Sequence, residues 1–303
     1  MALESTYGTP VTPTDSVKVR ESDGIQASHE VIKAEGITGT PPKNKAFYKG
    51  LLKYEGGFEF DLYPKIVGYF LKSAFGAASP TLQETGVYKH TFSEAVAKPG
   101  VTLEQKIGQI TKRFAGYAVD TVKIAGKTGE TIKVTVSGKA KTQADATAIS
   151  AAFETSRPLT FVDVASFTVN GTDLKAYVDS FEIEYKNNLE MFYSLGSQEP
   201  SERKLGASEC SGKATLYLDT TTKTLFADLL AGTERAIVLT ITGDLAGATK
   251  NYQLVLTMSK CALTKFETPI KEDYVAISLE WDCREDSTNG LVKIELQNTT
   301  ASY

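Results

Sequence analysis

Histidine is the side chain that most often serves as a general base near neutral pH, and this 303-residue chain contains only two. His29 lies in a polar N-terminal stretch, whereas His90 alternates with apolar residues in the segment VYKHTF. The chain contains no GxSxG, P-loop, GxGxxG or HExxH pattern that would supply either histidine with partners for catalysis. Both positions therefore favour structural or exposed roles over chemistry.

One carboxylate pair, Glu182 and Glu184, stands two positions apart on a predicted strand. That spacing places both side chains on one face, which is the arrangement that the acid and base of a glycosidase need. Phe181, Ile183 and Tyr185 alternate with them and point to the opposite face. A strand with this alternation buries its apolar face, so we interpret the two carboxylates as its solvent-exposed side.

The cysteines Cys210, Cys261 and Cys283 are odd in number and have no CxxC spacing. We expect them to be buried, reduced thiols of a chain that folds in a reducing cytosol. The acidic loop WDCREDSTNG lacks the ligand spacing of a calcium loop. The sequence therefore predicts a protein that is not an enzyme and that has no catalytic residue, cofactor or metal.

The formal net charge is -4 and the isoelectric point is near 5.5. A groove that binds nucleic acid needs clustered Lys and Arg, so the composition argues against one. It is compatible with a passage through which DNA slides without being bound. The apolar runs are much shorter than the ~20 residues of a membrane-spanning helix, and the N-terminal segment lacks the pattern of a secretory signal.

Period-two alternation dominates from Ala46 onward and predicts strands. The stretch that opens at Pro64 changes to helical spacing and ends at Gly76. The strands VYKHTF and VTLEQKIG follow, and then a hairpin of AVDTVKI and TIKVTVSG. In the second half, ATLYLD leads into another apolar helical stripe, which ends at Gly232 and is again followed by strands. A third hairpin is predicted in YVDSFEIEYKNNLEMFYSLG.

The two helix-ending glycines lie 232 − 76 = 156 residues apart, about half of the chain. The same offset aligns Phe60 with Leu216 and Phe70 with Phe226, and the strings VDTVKI, VDSFEI and LTKFET share one pattern. These matches predict an internal duplication. The predicted fold is mainly β, with two tandem β-sandwich or open-barrel units that each carry a flanking helix. The predicted boundaries are a flexible N-terminal arm over 1–43, a first unit over 44–150 and a second unit over 151–303.

The run GGFEFDLYPKIVGYFLKSAFGA, followed by VYKHTF, resembles the major tail tube protein family of long-tailed bacteriophages. In that family a strand enters a helix, and a Tyr-x-His-x-Phe strand comes next. The segment AVDTVKIAGKTGETIKVTVSGKA resembles the family's first hairpin, and VDSFEIEYKNNLEMFYSLGS resembles its second. The resemblance spans about residues 45–285. It departs from the family pattern in the second half, which lacks a Tyr-x-His-x-Phe strand.

The resemblance implies a structural protein of a siphovirus-like virion, assembled in the host cytoplasm and located in the tail. Its subunits would form rings whose sheets join in a continuous inner barrel, and the rings would stack into a hollow conduit for genome delivery. A duplicated subunit implies trimeric, pseudo-hexameric rings, with hexameric rings as the alternative. The implied partners are other copies of the chain, a tape measure protein and tail tip or terminator proteins. Viral DNA would pass through the lumen without specific binding, and no membrane is involved.

Contacts between subunits and between rings are expected in the N-terminal arm and in the long loop SLGSQEPSERKLGAS. The candidate contact residues are Pro41, Pro42, Ser194, Gly196, Glu199, Glu202, Arg203 and Lys204.

Three other functions stay open on sequence alone. A baseplate or tail-terminator protein of the same fold would form one ring and stop. A β-sandwich carbohydrate-binding or adhesin module would present an exposed aromatic platform, although most of the aromatic residues here occupy alternating, core-like positions. A glycosidase would need a cleft around Glu182 and Glu184.

Overall fold

The computed structural model describes residues 1–35, 44–267, 270–271 and 274–303, and it is dominated by antiparallel strands. The strands are β1 Ala2–Leu3, β2 Val19–Glu35, β3 Asn44–Asp61, β4 Gly76–Glu84, β5 Val87–Glu94, β6 Val101–Ile107, β7 Ile110–Lys127, β8 Lys133–Ala140, β9 Thr142–Asp145, β10 Val164–Val169, β11 Thr172–Asp173, β12 Val178–Lys186, β13 Glu190–Phe192, β14 Glu202–Lys204, β15 Glu209–Tyr217, β16 Arg235–Leu245, β17 Asn251–Glu267, β18 Ile270–Lys271, β19 Tyr274–Cys283 and β20 Lys293–Asn298. The helices are α1 Ile66–Phe75 and α2 Thr224–Ala231, with single 3-10 turns at Phe161–Asp163 and Lys175–Tyr177.

Eight strands follow one another in a continuous antiparallel sheet, in the order β2–β3–β8–β7–β12–β15–β19–β17. The junction between β7 and β12 lies in the middle of this order and joins the first half of the chain to the second. Ile183 stands opposite Ile124 there. The first four strands thus come from the N-terminal half and the last four from the C-terminal half.

Two long strands of this sheet, β7 and β17, change neighbours along their length. The N-terminal part of β7 pairs with β6 and β9, and its C-terminal part pairs with β8 and β12. The N-terminal part of β17 pairs with β16 and β20, and its C-terminal part pairs with β19. β20 also pairs with β5, which pairs with β4, and β16 also pairs with β10.

Alternation places one face of the eight-stranded sheet against the core. Its buried side chains include Phe60, Val134, Ile124, Ile183 and Leu216. Each large apolar side chain that is removed from water contributes about 1.5–3 kcal/mol, so this face supplies much of the stability of the fold.

Helix α1 covers the first half of this core. The ring of Phe70 lies 5.3 Å from that of Phe58 and 5.5 Å from that of Phe60, between ring centroids. A carboxylate from the other half of the chain lies at the N-terminus of this helix. Glu154 accepts hydrogen bonds from the backbone N–H groups of Lys65 and Ile66.

Both helices end at the glycines that the sequence indicated. Gly76 has φ of 95° and Gly232 has φ of 60°, a backbone region that residues with a Cβ rarely adopt. At Gly76 an added Cβ would also lie 2.7 Å from the carbonyl oxygen of Ala97. The mainly β fold, the two helices and their ends are therefore confirmed.

Two features differ from the sequence-based predictions. Over residues 1–35 the predicted flexible arm is built into the fold: Met1 and Ala2 are buried, and β2 pairs along β3. The predicted third hairpin is wrong, because β12 pairs with β7 and β15, whereas β13 pairs with β14 in a separate small sheet. Asn188 has φ of 48°, which turns the chain away from β12.

Candidate assembly interface

Within the described residues, the eight-stranded sheet ends at β2 on one side and at the C-terminal part of β17 on the other, and the backbone N–H of Ile25 in β2 donates to the side chain of Gln105. An edge strand presents a row of backbone N–H and C=O groups that can pair with a strand of another chain. Eight antiparallel strands alternate in direction, so β2 and β17 run in opposite directions. They can therefore form an antiparallel ladder between two copies that are related by a rotation.

The outward face of this sheet is polar and concave. A cavity of about 310 Å³ is lined by residues of five adjacent strands, among them Lys133, Ser180, Lys213 and Ser278. The longer charged side chains on this face are engaged across strands. Glu182 lies 3.6 Å from Lys123 and 3.2 Å from Lys213, between carboxylate oxygen and Nζ.

Over the rest of the face, ion pairs form both within a strand and between strands. Lys186 lies 3.1 Å from Glu184, and Lys265 lies 3.1 Å from Glu267 and 3.7 Å from Glu280. These lysines and carboxylates offset each other, so the concave face has little excess of either charge. The carboxylate pair singled out in the sequence is thus the polar side of a strand, held by lysines on both flanks.

The hairpin of β2 and β3 extends beyond the point where β3 leaves β8 at Tyr54. Its exposed apolar side chains lie on both faces. Ile32 stands opposite Tyr48 on one face, and they are 56% and 60% exposed. Val31 and Phe47 lie on the other face and are 48% and 64% exposed. Four large apolar side chains exposed on one projecting hairpin indicate a contact surface.

The segment between β12 and β15 braces the base of this hairpin. The backbone N–H of Leu52 donates a hydrogen bond to the backbone carbonyl oxygen of Gln198, at 2.8 Å. The hydroxyl of Tyr193 donates to the carbonyl oxygen of Leu52 at 2.8 Å. The side-chain amide of Gln198 donates to the carbonyl oxygen of Lys49 at 3.2 Å. The long loop and the hairpin therefore form one projecting unit.

The candidate contact residues of this loop occupy different environments. Ser194 and Gly196 lie at its exposed turn, beside a fully exposed Leu195. Glu199 is partly buried and accepts a hydrogen bond from the Tyr54 hydroxyl at 3.3 Å. Glu202 and Lys204 are exposed on β14. Pro41 and Pro42 lie outside the described residues.

Arg203 contacts the N-terminal segment of the same chain. Its guanidinium lies 4.1 Å from the centroid of the Tyr7 ring, so the side chain turns inward and ties the loop to the N-terminal segment. Burial lowers the pKa of Arg203, against the opposing effects of Tyr7, Glu202 and Glu4. This residue helps to hold the loop in place.

His90 is a structural residue. It is buried, and its Nε2 lies 2.8 Å from the carbonyl oxygen of Thr300. Burial lowers its pKa, although the hydrogen bond to Thr300 acts in the opposite direction. Among the residues that the structure describes, no group of three or more His, Cys, Asp or Glu side chains is placed to hold a metal ion.

Two parts of the interface were missed by sequence reasoning, namely the β2 edge and the projecting hairpin. Residues 26–33 of β2 are exposed on both faces, so they lack the alternation that marks a half-buried strand. The weak alternation in EVIKAE, facing that of KAFYKG, was the available signal.

Comparison with known proteins identifies a family for this chain. Across the described ranges, neither helix has the length and hydrophobicity that crossing a bilayer requires. A search of curated proteins found no match. A family model described as phage tail tube protein matches residues 1–283 of the 303-residue chain. The chain therefore belongs to the phage tail tube protein family, whose members are structural components of the virion tail.

Proposed function

We propose that three copies of this chain form a closed ring in which β2 of each copy pairs with β17 of the next. The three eight-stranded sheets then make one barrel, and stacked rings form the conduit through which the phage genome is delivered. The observation that carries this proposal is that β2 and β17 end one continuous sheet and run in opposite directions.

We infer an internal duplication, which supports a ring of three. In the first half the sheet order is β3–β8–β7, and in the second half it is β15–β19–β17. A register irregularity lies between Val119 and Thr121 of β7, and another lies between Leu263 and Lys265 of β17. The two residues of the second irregularity follow those of the first by the same number of positions, because 263 − 119 and 265 − 121 are each 144. We infer two tube-type units, approximately 44–150 and 151–303, with β2 acting as the first strand of the first unit.

The junction inside the chain provides a template for the junction between chains. In the internal junction, Lys186 of β12 stands opposite Thr121 of β7. The counterpart of Thr121 is Lys265 by the offset of 144. Lys186 stands opposite Glu209, and Ser28 stands opposite Lys53. Because 209 − 53 equals the helix offset of 156, Glu209 corresponds to Lys53. The counterpart of Lys186 is therefore Ser28. We therefore expect Ser28 of one copy to stand opposite Lys265 of the next.

The concave face suits a lumen that DNA crosses without binding. Its lysines are paired with carboxylates, so few cations are left to exchange for the counterions of the phosphates. The projecting hairpin and the exposed turn at Ser194 and Gly196 suit contacts with the next ring. A tape measure protein in the lumen and tail tip or terminator proteins at the ends complete the proposed set of partners.

Cysteine cross-linking tests both the register and the ring order. In the variant Ser28→Cys/Lys265→Cys, mild oxidation of assembled protein should give covalent species that end at three chains. The matched control Ala27→Cys/Lys265→Cys places the two thiols on opposite faces of the sheet and should give little cross-linking.

Three other results of the cross-linking experiment would each lead to a different conclusion. Species of up to six chains would establish hexameric rings and contradict the proposal. Tubes that form without any cross-link would show that another edge or register joins the copies. Rings that close but never stack would favour the baseplate or terminator function.

A further inference from the structure

The three cysteines, far apart in sequence, converge on one end of the eight-stranded sheet. Cys261 of β17 stands opposite Cys283 of β19, and their sulfur atoms lie 3.8 Å apart. Cys210 of β15 follows next across the sheet, since it adjoins Ser211, which stands opposite the Asp282 beside Cys283. Three adjacent strands thus carry a row of three thiols.

We propose that Cys261 and Cys283 form an oxidisable pair, which closes to a disulfide when the protein meets a low-molecular-weight disulfide. Directly opposed residues of antiparallel strands have Cα atoms about 4.5–5.5 Å apart, within the range that a disulfide bridges. The two sulfur atoms already face each other, so closure needs only side-chain movement. This inference does not depend on the proposed ring.

Access to the pair is one-sided. Cys261 is buried, whereas Cys283 is partly exposed and lines a polar cavity of about 280 Å³ together with Lys186 and the buried Cys210. A small disulfide can therefore reach Cys283 first. The hydrogen bond with Cys210 and burial raise the pKa of the Cys283 thiol, so the reaction should be slower than that of an exposed cysteine.

The chemistry proceeds in two exchanges. The Cys283 thiolate attacks the small disulfide, forms a mixed disulfide and releases one small thiolate. The Cys261 thiolate then attacks the sulfur of Cys283 and releases the second small thiolate. The two protons lost by the cysteines are taken up by the released thiolates, so two protein thiols are oxidised while one small disulfide is reduced to two thiols. In a reducing cytosol the pair stays open, and outside the cell it closes.

The bond would join β17 to β19 at the edge of the sheet. It would close a loop of chain between residues 261 and 283 and thereby raise the melting temperature, because cross-linking reduces the entropy of the unfolded chain. Fixing β17 on its neighbour would also stiffen the edge strand.

The experiment incubates the native purified protein with oxidised glutathione, blocks the remaining thiols in denaturant and measures the mass of the chain. We expect two of the three thiols to be lost, a monomeric band on a non-reducing gel, and a Cys261–Cys283 peptide in an unreduced digest. Cys210→Ser should react in the same way, and Cys283→Ser should lose no thiols.

Three outcomes would overturn the proposal: retention of all three thiols in the native protein, a stable glutathione adduct on Cys283, or a Cys210–Cys283 peptide. The peptide map of the unaltered chain decides among them even if a variant fails to fold.

Discussion

The ammonium group of Lys98 donates a hydrogen bond to Oδ1 of Asn187 at 2.6 Å, and both residues are buried. The same amide donates through Nδ2 to the carbonyl oxygens of Ala74, at the end of α1, and of Val119, in β7. One side chain from the second half thereby satisfies three groups of the first half. Burial lowers the pKa of Lys98, with Glu94 acting in the opposite direction.

Asn187→Ala should destabilise the fold strongly. It leaves two backbone carbonyl oxygens and a buried ammonium without this partner, and we expect the free energy of unfolding to fall by about 3 kcal/mol. Chemical denaturation of the unassembled protein measures the change. Asn251→Ala is the matched control, since the side-chain amide of Asn251 donates one hydrogen bond among the described residues, to Gly243, and its cost should be about 1 kcal/mol. Equal effects of the two substitutions would contradict the role given to Asn187.

The projecting hairpin should act on assembly and not on folding. Ile32→Ser/Tyr48→Ser removes two exposed apolar side chains, so we expect the free energy of unfolding to change by less than about 1 kcal/mol. Tube formation, followed by sedimentation and electron microscopy, should be lost. Leu245→Ser is the control. It removes an apolar side chain of similar exposure, 58%, and should leave tubes intact. Normal tubes from the hairpin variant would remove this surface from the account.

The charge balance of the concave face should control DNA retention. Glu182→Gln/Glu184→Gln frees Lys123, Lys213 and Lys186 from their carboxylate partners. Tubes of this variant should bind short double-stranded DNA at low salt, and raising the salt concentration should release it. Glu285→Gln lies outside the eight strands and serves as the control for neutralising a carboxylate. If the double variant and the control bind DNA equally, the concave face does not line the lumen.

Acid should weaken the fold in part through Asp15. Burial by itself raises the pKa of this carboxyl, but hydrogen bonds from Lys65, Tyr69 and Thr14 outweigh burial and hold the pKa below its ordinary value of 3.8. A carboxyl with a lowered folded-state pKa contributes stability above its unfolded-state pKa, and that stability is lost as the pH falls through the folded-state pKa.

The measurement compares Asp15→Asn with the unaltered chain. At neutral pH the variant should be less stable by about 1 kcal/mol, and the gap should close between about pH 4 and pH 2. Asp145→Asn, at an exposed position, should change the profile little. A gap that persists at pH 2 would show that the aspartate acts through packing and not through its charge.

The sequence was informative where local pattern determines structure. Alternation at Phe58 and Phe60 and the apolar stripe of α1 correspond to buried side chains, and Gly76 and Gly232 end the helices because their backbone conformations disfavour a Cβ. A register irregularity lies within the string VDTVKI of β7, and another lies within LTKFE of β17.

It was less informative where distant contacts decide the outcome. The inward orientation of the Arg203 side chain depends on Tyr7, which is far from it in the sequence. The pairing of β12 with β7 depends on the assembly of both halves, so the local pattern of YVDSFEIEYKNNLEMFYSLG suggested a hairpin instead. β2 was not predicted because a strand that is exposed on both faces shows only weak alternation.

The central claim is that three copies close one barrel through the edges β2 and β17. Cryo-electron microscopy of tubes assembled from the purified chain tests it most directly. The account predicts three subunits in each ring and a continuous inner sheet, with Ser28 of one copy opposite Lys265 of the next. Six subunits in each ring, or neighbouring copies that meet without β2 pairing to β17, would contradict it.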